Sequence, residues 1–194
     1  MSKSNSMYIM RNFYMVRHGE TTTNRERITT GQADVDLTEN GKRQAEQCRN
    51  VIDSLNLKTD VILCSGLIRT KATADIINQT LQCPIYRHSE LNEQSYGIWE
   101  GKDWDMILQE IEKHGVNPPG GENQLEFYAR VTCAIEELLD SYDGTILFVT
   151  HAGLFDGIFS KFGYPESNVE NGILYEFRFS TNGNELLDVQ KHEH

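Results

Sequence analysis

The chain has 194 residues and a formal net charge of −11, from 18 lysines and arginines against 29 aspartates and glutamates. One domain with a real core fits that length, and the acid excess argues against nucleic acid, which asks for a basic face. No apolar run is long enough to span a membrane, and the polar start Met1–Ser6 opens no signal-type stretch. The four cysteines, Cys48, Cys64, Cys83 and Cys133, form no CxxC pair, so a cytoplasmic chain with reduced thiols is expected.

Residues 1–12 read as a flexible tail and 13–191 as a single domain. Phe13-Tyr14-Met15-Val16 is a short apolar run and predicts a buried strand. Residues 18–37 are polar and irregular. Thr38 is a helix N-cap, and a helix runs on to Leu55, with Gly41 a mild cost in its first turn. Residues 60–64 predict a second strand, 67–81 a helix, and 84–86 a short third strand. The segment 88–101 reads as a loop, and 103–114 as a helix stopped by the breaker at 115–121, with Pro118-Pro119 and two glycines. Residues 123–141 carry the clearest amphipathic pattern, with Tyr128, Val131, Ile135, Leu138 and Leu139 on one face. Residues 145–149 are apolar throughout and predict a strand buried on both faces. A helix over 154–162 follows. Two runs, 173–180 and 185–190, flank Thr181-Asn182-Gly183-Asn184, a hairpin signal whose outer strand could pair with a second copy.

Strands alternating with helices predict an α/β fold around a largely parallel sheet, which binds ligands beyond the carboxyl ends of its strands. The strand ends are chemically loaded. Arg17-His18-Gly19-Glu20-Thr21 follows the first, Ser65 and then Arg69-Thr70 the second, Leu91-Asn92-Glu93 the third, and Thr150-His151-Ala152-Gly153 the fourth. Two guanidiniums aimed at one point suit a phosphate, and helix N-termini add N–H donors. Positive neighbours keep a histidine neutral and nucleophilic, and a glutamate in reach can protonate a leaving alcohol. The set reads as phosphoryl transfer through a phosphohistidine, with arginine clamps in place of magnesium.

The segment Arg17-His18-Gly19-Glu20-Thr21 with Asn24 resembles the signature of the histidine phosphatase (phosphoglycerate mutase-like) superfamily. The match continues through Gly31-Gln32, Asp36-Leu37-Thr38, Ser65-Gly66-Leu67-Ile68-Arg69-Thr70, Leu91-Asn92-Glu93 with Tyr96-Gly97 and Trp99-Glu100-Gly101, Pro119-Gly120-Gly121-Glu122 and Thr150-His151-Ala152-Gly153. The resemblance implies a three-layer α/β/α sandwich with residues about 95–122 forming much of a lid. It makes His18 the phosphorylated nucleophile. Arg17, Arg69 and His151 would hold the phosphoryl group, and Glu93 would act first as acid, then as base. Asn24 and the backbone at Ala152 would also touch phosphate, with Thr30, Gly31 and Gln32 beside it. No metal is implied. Two departures stand out: Gly66 replaces a common proline, and Asn123 replaces a common serine but can still cap its helix.

The expected function is a phosphatase acting on a small phosphorylated metabolite. Tyr96, Trp99, Trp104 and Phe127 can stack on a ring, although aromatics at such positions more often form lid core, and no cationic cluster beyond the motif arginines marks a polyphosphorylated substrate. No cofactor is expected, 2,3-bisphosphoglycerate being needed only by a mutase. Mutases of the family carry an extra insertion and a tail over the site, and a mutase must exclude water. A non-catalytic phospho-ligand binding module is the alternative from another class. A metal hydrolase is disfavoured because Arg17 and Arg69 would repel a cation.

Overall fold

The computed structural model describes residues 10–165 and 168–193. Among these, six strands form one mixed sheet in the order β3-β2-β4-β1-β5-β6. They are β1 (Phe13–Arg17), β2 (Val61–Ser65), β3 (Ile85–His88), β4 (Ile146–Thr150), β5 (Leu174–Phe179) and β6 (Leu186–His192). The first four run parallel, while β5 and β6 are the antiparallel hairpin expected around Asn182-Gly183.

Alternation along the parallel strands divides the core in two. Phe13, Met15, Leu63 and Phe148 join the cluster under α5 (Gln124–Ser141) and α6 (Ala152–Phe162). Val16, Ile62, Cys64, Leu147 and Val149 join the cluster under α2 (Glu39–Ser54) and α3 (Ile68–Leu81). Helices on both faces make the three layers, and both faces of these strands are dry, which is why they read as unbroken apolar runs.

The register fixes the site. Arg17 pairs with Thr150 and Ser65 with His88, so the parallel strands end along one edge. Chain segments leaving that edge are pinned early. Thr38 caps α2 through Gly41 N at 2.9 Å and also donates to the Glu20 carboxylate at 2.7 Å. Asn123 caps α5 through Glu126 N at 2.8 Å, so the replacement of serine keeps the cap.

Two expectations are corrected. Residues 10–12 belong to the fold, not to a tail: Met10 is only 2% exposed, Arg11 Nε donates to Leu139 O at 3.1 Å, and Asn12 Oδ1 accepts from Phe179 N at 2.8 Å. Residues 1–9 lie outside the described residues. The polar segment after β1 is not wholly irregular, because it contains α1 (Thr22–Arg25), a single turn held by a capping box between Thr21 and Asn24. The breaker region leads out of α4 (Trp104–His114), which Asp103 caps at Met106 N.

Gly41 is more than a mild helix cost. A Cβ there would lie 2.1 Å from the Glu20 carbonyl oxygen, and one on Gly19 would lie 2.2 Å from Gly41 O. The loop that follows β1 therefore rests backbone to backbone on the first turn of α2. Helix propensity alone favours Gly41→Ala by about 1 kcal/mol. The contact predicts the reverse: a lower urea midpoint and a displaced His18 loop, checked by equilibrium unfolding and by phosphate affinity.

Candidate active site

His18 leaves the end of β1 and is 4% exposed. Its backbone N–H donates to Thr150 O at 2.9 Å, continuing the β1–β4 ladder by one bond. The Asn171 side chain holds its carbonyl at 2.8 Å. In the ring, Nδ1 lies 2.8 Å from Gly19 O. A carbonyl only accepts, so Nδ1 carries the hydrogen and Nε2 keeps a lone pair. Burial first, then the charges of Arg69 and Arg17, push the His18 pKa well below the ordinary 6.5. His18 is thus a neutral imidazole with one nucleophilic nitrogen.

Arg69 comes from the first turn of α3 and is 1% exposed. Its two terminal nitrogens donate to Ala33 O at 2.9 Å and Gly31 O at 2.8 Å. Arg17 Nη1 donates to Val169 O at 2.7 Å. Burial lowers both from 12.5, while Glu93 opposes that most strongly; a guanidinium does not deprotonate in proteins, so both carry charge. His151 is fully buried, ring edge to His18 at 5.2 Å, with Nε2 oriented by Ser65 Oγ at 2.8 Å. Among the described residues, the Nε atoms of Arg17 and Arg69 and Nδ1 of His151 are buried with no hydrogen-bond partner. The two arginine Nε–H groups are unmatched buried donors, which cost about 1–3 kcal/mol each.

Glu93 enters from the loop beyond β3. Its carboxylate accepts from Gln94 N at 3.0 Å and from Gly153 N, in the first turn of α6, at 3.3 Å. A Cβ on Gly153 would lie 2.4 Å from Glu93 Oε1, so only glycine admits the carboxylate there. The loop itself is tied by Arg130 of α5. That guanidinium donates to Glu90 O at 2.7 Å, Asn92 O at 3.1 Å and Glu93 O at 3.4 Å, and forks onto Glu122 at 2.7 and 2.8 Å. Asn92 Oδ1 accepts from Gly66 N at 2.8 Å, a donor that a proline would lack.

A cavity of about 490 Å³ joins these groups. Arg17, His18, Asn24, Thr30, Gly31, Arg69, Glu93 and Ala152 line it. A model of the histidine phosphatase superfamily (branch 1) matches residues 13–191. The chain belongs to that superfamily. Among its similar proteins is "Probable phosphoglycerate mutase GpmB" of Salmonella choleraesuis (strain SC-B67), 38% identical over 148 residues, 71% of this chain and 68% of the relative. The α-ribazole phosphatase from Shigella flexneri superposes with a TM-score of 0.79 at 26% identity, covering 94% of this chain and 96% of the other. Bacillus stearothermophilus YhfR gives 0.79 at 25% identity, covering 91% and 94%. These phosphoglycerate mutase-like neighbours share the six-stranded α/β architecture.

Eight of the ten residues expected at the site line this cavity. Two expected residues do not line the cavity. His151 stands behind His18, and Gln32 spends its amide on Glu93 O at 3.0 Å, bracing the acid loop instead of facing a ligand. Asn24 uses its oxygen for Thr21 N and Asn171 Nδ2, which leaves its own N–H pair for a ligand. Of the four aromatics, Tyr96 and Trp104 line the cavity, whereas Trp99 and Phe127 are core at 8% and 1% exposure. Arg27, Thr29, Asp156, Asn168 and Asn171 also line it and were not foreseen. Asp156 had a signal, being an acid inside the apolar helix α6. The two asparagines lie between α6 and β5 and carry no motif. Among the described residues, no group of three or more His, Cys, Asp or Glu side chains is set to hold a metal ion, and no helix is long and apolar enough to cross a membrane.

Arg130 acts through Glu93, so Arg130→Ala is expected to slow alkyl phosphate esters by about 10- to 100-fold. Nitrophenyl esters, which need little acid help, lose less; steady-state kinetics on both checks this. His18 and His151 are both held below 6.5 by burial first and then by the neighbouring guanidiniums. Unfolded histidines take up protons near 6.5 while these two do not, so stability is full above that pH and falls as pH drops below it. His18→Gln should flatten that fall between pH 6.5 and 5 in urea titrations.

Proposed function

We propose that the chain is a metal-independent phosphomonoesterase that works through a phosphohistidine on a small phosphorylated metabolite. The observation that carries this reading is a neutral, buried His18 whose Nε2 keeps its lone pair, set in one cavity wall with Arg17, Arg69 and Glu93.

In the first step, His18 Nε2 attacks phosphorus and the P–O bond to the alcohol breaks. Glu93 gives its proton to the departing oxygen. Arg17 and Arg69 take the charge on the equatorial oxygens, and the Ala152 N–H at the start of α6 adds to it, while His151 packs against the His18 ring from behind. In the second step, the Glu93 carboxylate accepts a proton from water as the water oxygen attacks phosphorus. The P–N bond breaks and its electron pair returns to Nε2, so phosphate leaves and the enzyme is restored. No cofactor takes part.

The name of the Salmonella relative supports a second reading, a phosphoglycerate mutase that passes the phosphoryl group back to a sugar acid instead of to water. The names of the structural neighbours support hydrolysis.

Phosphate release from a panel of monoesters with EDTA present separates these readings, with 2-phosphoglycerate formation from 3-phosphoglycerate followed in parallel. Release by the unmodified chain and none by His18→Ala is expected. Isomerisation without release would replace hydrolysis by the mutase reaction. Glu93→Gln is expected to cost about 10²–10⁴-fold on alkyl esters and less on nitrophenyl phosphate. Equal losses on both would remove the acid role.

A further inference from the structure

Beyond the phosphate end, the cavity wall runs through Thr23, Ile28, Tyr96, Trp104, Asp156 and Asn168. Tyr96 and Trp104 meet edge to face at 5.5 Å and present ring surface. The charged groups on the wall are three guanidiniums, Arg17, Arg69 and Arg27, and two carboxylates, Glu93 and Asp156. Arg17 and Arg69 serve the phosphoryl group. Among the described lining residues, Arg27 is therefore the cation that a second negative group on a substrate would meet.

Asp105 already holds it. Arg27 Nε donates to Asp105 Oδ2 at 2.9 Å, and Arg27 Nη2 donates to Oδ1. The fork is filled from the first turn of α4 by a carboxylate outside the cavity lining. Backbone contacts set the pair in place. Trp104 N donates to Arg27 O at 2.8 Å, Thr29 N to Lys102 O at 2.8 Å, and Ile28 bridges Asp103. Arg27 itself adopts a left-handed backbone, φ 54°, which few side chains other than asparagine and aspartate accept readily. An incoming carboxylate or second phosphate would find the Arg27 charge already compensated by Asp105, with the Nε–Nη2 edge taken, and would share the cavity with the Asp156 carboxylate.

We infer that the alcohol end of this site takes phosphomonoesters bearing no second anionic group, laying uncharged ring or hydroxylated surface against Tyr96 and Trp104, and that Asp105 sets this specificity by occupying Arg27. The inference rests on the phosphomonoester reading of the same cavity and deepens it.

Glycerol 3-phosphate and 3-phosphoglycerate share a skeleton and differ in one carboxylate. Titration calorimetry of both into the His18→Ala protein measures the preference without turnover. Glycerol 3-phosphate is expected to bind roughly tenfold tighter, since like charges placed together across a binding site disfavour the wrong ligand. Adding Asp105→Asn is expected to narrow the gap about threefold by tightening 3-phosphoglycerate, in keeping with an exposed ion pair. Equal or tighter binding of 3-phosphoglycerate overturns the inference. So does a gap that Asp105→Asn leaves unchanged, or no binding of either ester. Nitrophenyl phosphate turnover by the chain with His18 intact is the separate arm: failure there removes the hydrolase reading and leaves the binding preference to be judged alone.

Discussion

Two guanidiniums, Arg69 buried and Arg17 half-buried, and two buried imidazoles meet at one edge of the sheet, and the repulsion between their charged forms is the constraint that the surrounding loops answer. Arg69 is 1% exposed and His151 fully buried, beside Arg17 and His18. Burial disfavours charge, so the imidazoles give up theirs, while the arginines keep theirs and are met by carbonyls of Gly31, Ala33 and Val169. Those carbonyls belong to loops that have no regular structure of their own. They are ordered because the arginines need acceptors there, and in turn they shape the cavity. Among the described residues the Nε donors of both arginines stay unmatched.

The acid side of the site is built by a different means. Glu93 reaches α6 because residue 153 has no side chain, and its loop is held from behind by the Arg130–Glu122 pair and by Gln32. Positive charge is thus supplied from strand and helix starts, and the carboxylate from a loop clamped at its carbonyls. Separating the two lets Glu93 stand near two cations while its main tethers are backbone N–H groups, not the guanidiniums proposed to hold the phosphate.

Much of this was legible. The strands β2 and β4 are buried at every position and apolar up to the closing Ser65 and Thr150, because helices cover both faces, and a dry parallel strand has no alternation to hide it. The chemical residues then stand at carboxyl ends, where such sheets bind. The missed parts share a cause: their roles depend on backbone geometry that composition does not carry. Arg27 reaches the cavity from a left-handed turn after a one-turn helix, inside a segment that reads as merely polar. Gln32 sits beside a motif, yet its amide serves the loop. Tyr96 and Trp99 are three residues apart and equally aromatic, but the 3₁₀ turn at Gly97–Trp99 sends one to the cavity wall and the other to the core.

The proposed mechanism turns on a phosphoryl group carried by His18. Glu93→Gln with nitrophenyl phosphate should stall the enzyme at that stage, because the leaving group needs no acid while the attacking water still needs a base. Alkaline quench during turnover, followed by peptide mass mapping, locates the phosphoryl group directly. A base-stable, acid-labile phosphate on His18 is the predicted result. A burst of nitrophenol with His18 unmodified, or with the phosphoryl group on another residue, would contradict it.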